Sequence, residues 1–413
     1  MHRNLFRAAL LLAAIGIAAC NPRSDAPQVG VYRAVLRLPG GDAPFGLEIA
    51  EEQQQYVLYL INGAERTRVN KVKVTDGELT ASFPGYENSL RAEVHRNALV
   101  GSVTLIKAGG KQQIIPFEAK LGDTYRFYPE PTADNADVDG TWEATFTNEK
   151  GETSKAILLL EQRHDRVTGT AMTPTGDHRF LEGQVRGDEL QLSTFAGGLA
   201  YLYKLQVGPG GALEGDYWQG LASHEKVEAR RNAAATLDGA GEQTTMRDAS
   251  QRLDFTFPDV DGKPVSLSDP RFRGKVVLVT LGGTWCPNCH DEAQFLVPFY
   301  REYRERGFEI VALMFERHGE LAQAASAVRG YRSDLGIEFP TLVAGLSETD
   351  EASKALPMLS GIYGYPTAIL VDRSGAVRAI HTGFAGPATG RHHDEYVREF
   401  RDEVERLLAE TAR

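Results

Sequence analysis

The chain has 413 residues, of which 42% are hydrophobic and 24% charged. This is the composition of a globular protein long enough for two or three domains. Its formal net charge is −11 and no basic stripe occurs, which argues against a nucleic-acid partner and leaves the acidic excess as solvated surface. The cysteines are Cys20, Cys286 and Cys289.

Residues 1–19 read as an export signal. Arg3 and Arg7 give a positive start, Ala8–Ile17 is an apolar run too short for a flanked membrane span, and small residues follow. The end, Ile17-Ala18-Ala19-Cys20, is similar to a bacterial lipoprotein signal, which implies cleavage before Cys20 and lipidation of that cysteine. Several acyl chains on one residue anchor stably where a single chain binds marginally. Asn21 follows rather than Asp, which by resemblance to enterobacterial sorting leans towards the outer membrane. Ordinary secretion after Ala19 is the alternative. With Cys20 lipidated, Cys286 and Cys289 are left as a self-contained pair. Residues 20–28, with Pro22, Ser24, Asp25 and Pro27, have the composition of a flexible tether.

From residue 29 to about 232 no long helical pattern occurs. Short runs at Val31–Leu38, Gly46–Glu51, Tyr56–Ile61, Arg66–Val74, Glu78–Phe83, Leu90–His95, Leu99–Leu105 and Gln112–Ala119 are separated by Gly, Asn and Asp turns. They predict an antiparallel sandwich or barrel. The region repeats itself at an offset near 110 residues, about one small all-β domain. Gly30-Val31-Tyr32-Arg33-Ala34 matches Gly140-Thr141-Trp142-Glu143-Ala144, and Gly77-Glu78-Leu79 matches Gly187-Asp188-Glu189-Leu190. Ala98-Leu99-Val100-Gly101 matches Ala212-Leu213-Glu214-Gly215, and Phe117-Glu118-Ala119 matches Val227-Glu228-Ala229. Two tandem antiparallel all-β modules are expected, at residues 29–127 and 138–232, loosely resembling lipocalin-like or other small barrels. Their expected role is as spacer or docking platform. Trp142, Tyr217 and Trp218 could line a ligand pocket, but aromatic residues in such sheets mostly belong to the core. His95, His164, His178 and His224 lack metal-ligand spacing.

Residues 233–250 read as a linker, with room for a short helix. Residues 251–413 then alternate strands and helices, the pattern of an α/β domain. A hairpin turns at Asp261-Gly262. A strand at Lys275–Leu281 leads into Thr284-Trp285-Cys286-Pro287-Asn288-Cys289, and a helix follows to Arg306. Then come a strand at Phe308–Phe315, a helix at Glu320–Leu335, an irregular stretch at Phe339–Ser347 and a short helix near Glu351–Leu356. Strands at Thr367–Val371 and Ala376–His381 and a helix at His393–Thr411 close the chain. Two cysteines thus sit at a strand-to-helix turn. Pro287 suits the first helical position, where its missing N–H has no partner to lose. The positive end of the helix beside Cys286 favours a thiolate, the form that attacks disulfides.

This last stretch, roughly 40% of the chain, resembles the thioredoxin fold and, within it, the TlpA/ResA-like thiol–disulfide oxidoreductases. The resemblance rests on Trp285-Cys286-Pro287-Asn288-Cys289, Gly364-Tyr365-Pro366-Thr367, Asp372-Arg373-Ser374-Gly375 and the opening hairpin Asp259-Val260-Asp261-Gly262-Lys263. It implies a cis peptide at Pro366 facing the sulfurs. Thioredoxin has an Asp six residues before its first active-site cysteine, where Thr280 stands here. The TlpA/ResA-like proteins instead have a Glu three residues after the second cysteine, which is Glu292 here. One helical turn past Cys289, a buried Glu292 would have a raised pKa and could exchange protons with that cysteine. Gln294 replaces the family's proline, and Gly282-Gly283 a bulkier pair. The implied chemistry is attack by an exposed Cys286 and resolution by Cys289, leaving a Cys286–Cys289 disulfide. Pro366 would belong with Cys286, Cys289 and Glu292 to the catalytic set, holding the preceding loop against the sulfurs, and Tyr365, Trp285, Pro287 and Asn288 would form the substrate groove. His290, one step past Cys289 on the helix, points to another side and reads as a solvated side chain, the alternative being that it lowers a thiol pKa.

No cofactor and no metal is expected. The expected partners are protein disulfides or dithiols, a membrane electron donor or oxidant, and the membrane itself through the lipid anchor. Peroxidase chemistry is disfavoured because Val279 and Gly283 stand where a peroxiredoxin has Pro and Thr. Resemblance favours a reductase in the cell envelope. The alternative is a lipid-anchored binding or scaffold protein that uses its β-modules and has accessory redox activity.

Overall fold

The computed structural model describes residues 23–132, 134–237, 241 and 243–410. The expected export signal and Cys20 lie outside them. Residues 23–28 are not a free tether: Ser24 N donates to Val94 O at 3.0 Å, Arg23 pairs with Glu93, and Pro27 is buried.

Alternation of apolar and polar residues builds the first module. In the strand Ser89–His95, Leu90, Ala92 and Val94 point inward while Arg91 and Glu93 face solvent. The first strand, Gly30–Leu38, pairs antiparallel with Gly41–Glu52 on one side and with the last strand, Lys111–Leu121, on the other. The remaining strands meander outward to the two edges, Glu65–Val69 and Lys71–Thr75. These edges are consecutive in the chain. The single strand expected over Arg66–Val74 is therefore two, divided at Asn70, because the nine-stranded sheet curls until its edges meet.

The second module repeats this plan. Its first strand, Gly140–Asn148, pairs with Thr153–Arg163 and with the last strand, Ser223–Arg231. Thr153–Arg163 also pairs with Arg166–Thr173, which pairs in turn with Leu181–Arg186, so the ring closes. The repeated sequence motifs fall on equivalent strands. One of them carries a backbone requirement: a Cβ at Gly101 would stand 2.0 Å from Arg91 O, and one at Gly215 2.1 Å from Lys204 O. Both copies keep glycine where neighbouring strands approach too closely for any side chain. Trp142 and Tyr217 are core residues, and Trp218 packs against Gly40 of the first module, so these aromatics do not line a pocket.

The modules share an interior. Phe195, Ala200 and Leu202 of the second belong to the apolar core of the first. Arg126 crosses this seam, donating to Asn62 Oδ1 at 2.9 Å and Ser193 O at 2.8 Å, and Asn62 donates to Phe195 O at 3.0 Å.

The C-terminal domain is α/β and thioredoxin-like. Its sheet has the order Thr341–Leu346, Phe308–Glu316, Val276–Gly282, Thr367–Val371, Val377–Thr382. The first three strands are mutually parallel and the last two antiparallel additions. Helices α1 (Pro287–Tyr303), α2 (Leu321–Leu335) and α4 (Arg391–Ala409) pack on one face. Helix α3 (Thr349–Ala355) and the opening hairpin, Thr256–Pro258 with Pro264–Ser266, cover the other. The stretch expected to be irregular at 339–347 contains a strand. Thr341 to Ala344 are all buried, so the run lacks the alternation that marks a half-exposed strand. The expected linker holds no helix among its described residues. It runs along the domain instead, with Met246 bridged to Leu359 and Arg247 donating to Pro357 O and Ser360 O.

Candidate active site

The buried strand Val276–Gly282 delivers the chain to the turn that starts α1, and the cysteines flank this start. Cys286 is the helix N-cap: its Sγ accepts from Cys289 N at 3.2 Å. A backbone donor on this sulfur, together with the helix end, is placed to stabilise negative charge there once the pair is reduced. Cys286 and Cys289 form a disulfide with Cα atoms 5.2 Å apart. Opposite them the Tyr365–Pro366 peptide is cis, and Cys286 Sγ lies 3.6 Å from Tyr365 O. Trp285 closes one side. Its indole donates to Phe315 O at 2.9 Å and meets Tyr365 edge-on, while the Arg317 guanidinium lies over it.

The glycine pair before the site has a physical reason. A Cβ at Gly283 would stand 2.3 Å from Trp285 Nε1 and 2.7 Å from Phe315 O, in the path of the indole hydrogen bond. A Cβ at Gly282 would press on Cys289 Sγ at 3.2 Å. The departure from the bulkier family pair thus makes room for Trp285 and for the second sulfur. Gln294, the other departure, is exposed.

Behind Cys289 lies Glu292. Thr280 Oγ1 donates to its carboxylate at 2.6 Å, so the two positions singled out in the sequence are hydrogen-bonded partners. Burial pushes the Glu292 carboxyl up to about 7, and the Thr280 hydrogen bond only partly opposes this. Glu292 and Cys289 line one cavity of about 20 Å³ with Tyr331 and Phe339, room for a single water.

A second buried acid was not singled out in the sequence. Glu316, at the end of Phe308–Glu316, accepts from Thr284 N at 3.0 Å and Thr284 Oγ1 at 2.7 Å. It fixes the turn that presents Trp285 and Cys286, and burial raises its carboxyl to about 7. Only its position at the end of an apolar strand could have marked it.

Two expectations are corrected here. Cys286 is not exposed: it is 4% accessible, against 3% for Cys289. Pro287 and Tyr365 are buried as well, and Asn288 is half-buried, because both β-modules close over this end of the domain. His290 is not solvated. It stacks on Tyr86 of the first module at 3.7 Å, shares a 2.8 Å hydrogen bond with Thr284 O, and is held neutral by burial, its pKa lowered to about 3. One step along the helix does turn it away from the sulfurs, but towards another domain rather than water.

The closure is polar at its centre. Arg179 of the second module reaches Asp291 of α1 at 2.7 Å and also pairs with Glu65 of the first module. All three side chains are largely buried, and Arg179 further donates to Pro287 O at 3.2 Å, between the two cysteines. Burial pushes Asp291 up to about 7 although Arg179 pulls the other way. At the rim, Gly85 N donates to Asp334 at 2.9 Å, Lys71 pairs with the same carboxylate at 2.6 Å, and His318 meets Glu87 at 2.9 Å.

A family model described as Redoxin matches residues 248–394. The thiol-disulfide oxidoreductase ResA of Bacillus thuringiensis (strain Al Hakam) is 30% identical over 135 residues, which are 32% of this chain and 68% of the relative. The ResA of Geobacillus thermodenitrificans (strain NG80-2) is 27% identical over 157 residues, 38% of this chain and 82% of the relative. Among solved structures, a thiol:disulfide interchange protein of the thioredoxin family from Chlorobium tepidum TLS is 26% identical, with a TM-score of 0.31, over 40% of this chain and 100% of that one.

Proposed function

The chain belongs to the ResA-like thiol–disulfide oxidoreductases, and on that premise we propose that it is an exported, lipid-anchored reductase of protein disulfides in the cell envelope. The observation that carries the chemistry is the Cys286–Cys289 disulfide at the start of α1, with the Tyr365–Pro366 loop before it and a buried Glu292 behind.

In the reduced protein, Cys286 attacks a substrate disulfide as the thiolate. A Cys286–substrate S–S bond forms, the substrate S–S bond breaks, and one substrate sulfur leaves as thiolate and takes up a proton. Cys289 passes its proton to the Glu292 carboxylate and attacks Cys286 Sγ. The mixed disulfide breaks, the second substrate sulfur leaves, and the internal disulfide closes. Two electrons have moved from the dithiol to the substrate. A membrane electron donor then returns the pair to its reduced form. The backbone of Tyr365 offers hydrogen-bonding groups to an extended substrate, and Trp285, Pro287 and Asn288 complete the groove. Anchoring through Cys20, with the outer membrane favoured, rests on the sequence of the first twenty-one residues. No helix among the described residues is long and apolar enough to cross a membrane.

Trapping tests this reading. Cys289→Ala in the full chain should accumulate mixed disulfides between Cys286 and envelope proteins, resolved by added dithiol and absent from the double variant with Cys286→Ser. Equal capture by the double variant would refute attack through Cys286.

A further inference from the structure

The closure over the sulfurs has one element at its centre. The hairpin that joins Arg166–Thr173 to Gly176–Asp177 in the second module turns at Pro174-Thr175 and points into the catalytic domain. Thr175 lies on Gly364, the residue before Tyr365: a Cβ there would stand 2.3 Å from Thr175 Cγ2. The hairpin backbone lies on Gly383, where a Cβ would stand 2.9 Å from Pro174 O. Gly383 N in turn donates to Pro366 O at 2.7 Å. Across the groove, a Cβ at Gly176 would stand 2.1 Å from Asn288 Nδ2. The seat is therefore built from both sides, since glycines at 176, 364 and 383 each leave space that a side chain would fill. These contacts touch the residues that frame Cys286, namely Asn288 between the cysteines and the loop leading into Pro366.

The base of the hairpin is fastened. Asp177, buried, accepts from Gly386 N at 2.7 Å and Arg179 N at 2.6 Å, and its own N–H donates to Asn288 Oδ1 at 3.4 Å. Two residues on, Arg179 takes part in the Glu65 and Asp291 pairs. Breaking that cluster strands buried carboxylates without their cation, which holds the hairpin closed.

We infer that the Thr173–Arg179 hairpin is an intramolecular lid on the dithiol groove, occupying the path an extended substrate would take along Gly364–Pro366. A protein disulfide reaches Cys286 only when the hairpin leaves Gly364 and Gly383. The second β-module is thereby a gate that excludes indiscriminate disulfides, and a physiological substrate is one that displaces the hairpin. The inference deepens the proposed reductase and rests on Cys286 as its attacking group.

The test measures the alkylation rate of Cys286 in the reduced full chain with a maleimide on a polyethylene glycol chain, relative to the rate of the same reagent on the chain unfolded in urea. A site open only part of the time reacts in proportion to its open fraction. Thr175→Gly, which removes the side chain over Gly364, and Arg179→Gln, which loosens the base, should each raise this relative rate by about tenfold or more. If Arg179→Gln fails to fold, Thr175→Gly, a hairpin-tip change, still decides the matter. An unchanged relative rate in the folded variants overturns the lid. Insulin reduction is measured on the same proteins. A raised rate without reduction by any of them would leave the lid standing and remove the reductase reading instead.

Discussion

Cys286→Ser is expected to abolish disulfide exchange, lowering the rate by at least ~10³-fold, the scale of losing a nucleophile. Cys289 cannot substitute for it: that sulfur lies behind Cys286, against Glu292 and the interior of the sheet. Serine should keep the local fold, since its hydroxyl can accept from the residue 289 N–H as the N-cap of α1. The variant does lose a four-residue disulfide loop, worth roughly 2 kcal/mol in the chain-entropy picture. Reduced wild type is therefore the proper control for stability, and oxidised wild type is not. The measurement is insulin reduction beside thermal unfolding of each protein. An unfolding curve like that of reduced wild type with no turnover is the expected pair of results. A rate within about tenfold of wild type would assign the attack to another group.

Glu292→Gln is expected to stabilise the protein, in a pH-dependent way. The wild-type carboxyl is held neutral to about 7 by burial, against an ordinary 4.5. Below pH 4.5 it is protonated in both folded and unfolded chains, and its protonated form fits the native site fully. As pH rises towards 7 the unfolded chain ionises it readily and the native chain does not, so stability is lost through this window. Above 7 the loss is complete, on the order of 3 kcal/mol at 1.36 kcal/mol per pKa unit. Glutamine cannot ionise and can still accept from Thr280. Urea unfolding of the full chain should show the variant close to wild type at pH 4 and more stable at pH 8. The same substitution should remove the inflection near pH 7 from the rate at which Cys289 resolves a mixed disulfide. A gain of equal size at both pH values, or an unchanged rate profile, would reduce Glu292 to a packing residue.

The parts of the site that were legible in the sequence are those made within one domain. Cys286 and Cys289 lie at a strand-to-helix turn that local periodicity places, whereas Pro366 and the Thr280–Glu292 positions were singled out through the resemblance to the TlpA/ResA-like proteins. The duplicated β-modules were legible through turn residues and through glycines such as Gly101 and Gly215, which the strand spacing requires. What could not be read was the meeting of the three bodies. Glu65, Arg179 and Asp291 are separated by more than a hundred residues at each step, and each alone resembles an ordinary surface charge. His290 follows the same rule, since only the arrival of Tyr86 makes it a buried ring. Glu316 was hidden because a carboxylate at a strand end is usually solvated. Exposure of Cys286 was misjudged for the same reason: the hairpin that packs on Gly364, Gly383 and Asn288 around it belongs to another module, and no pattern in Thr173–Arg179 announces its partner.

The reductase reading stands or falls most directly on the reduction potential of the Cys286–Cys289 pair, measured in the full chain against a glutathione or dithiothreitol redox series. A value near ~−270 mV, that of a thioredoxin-type reductant, is expected. A value near ~−120 mV, where the reduced form is favoured and the disulfide is a strong oxidant, would contradict it.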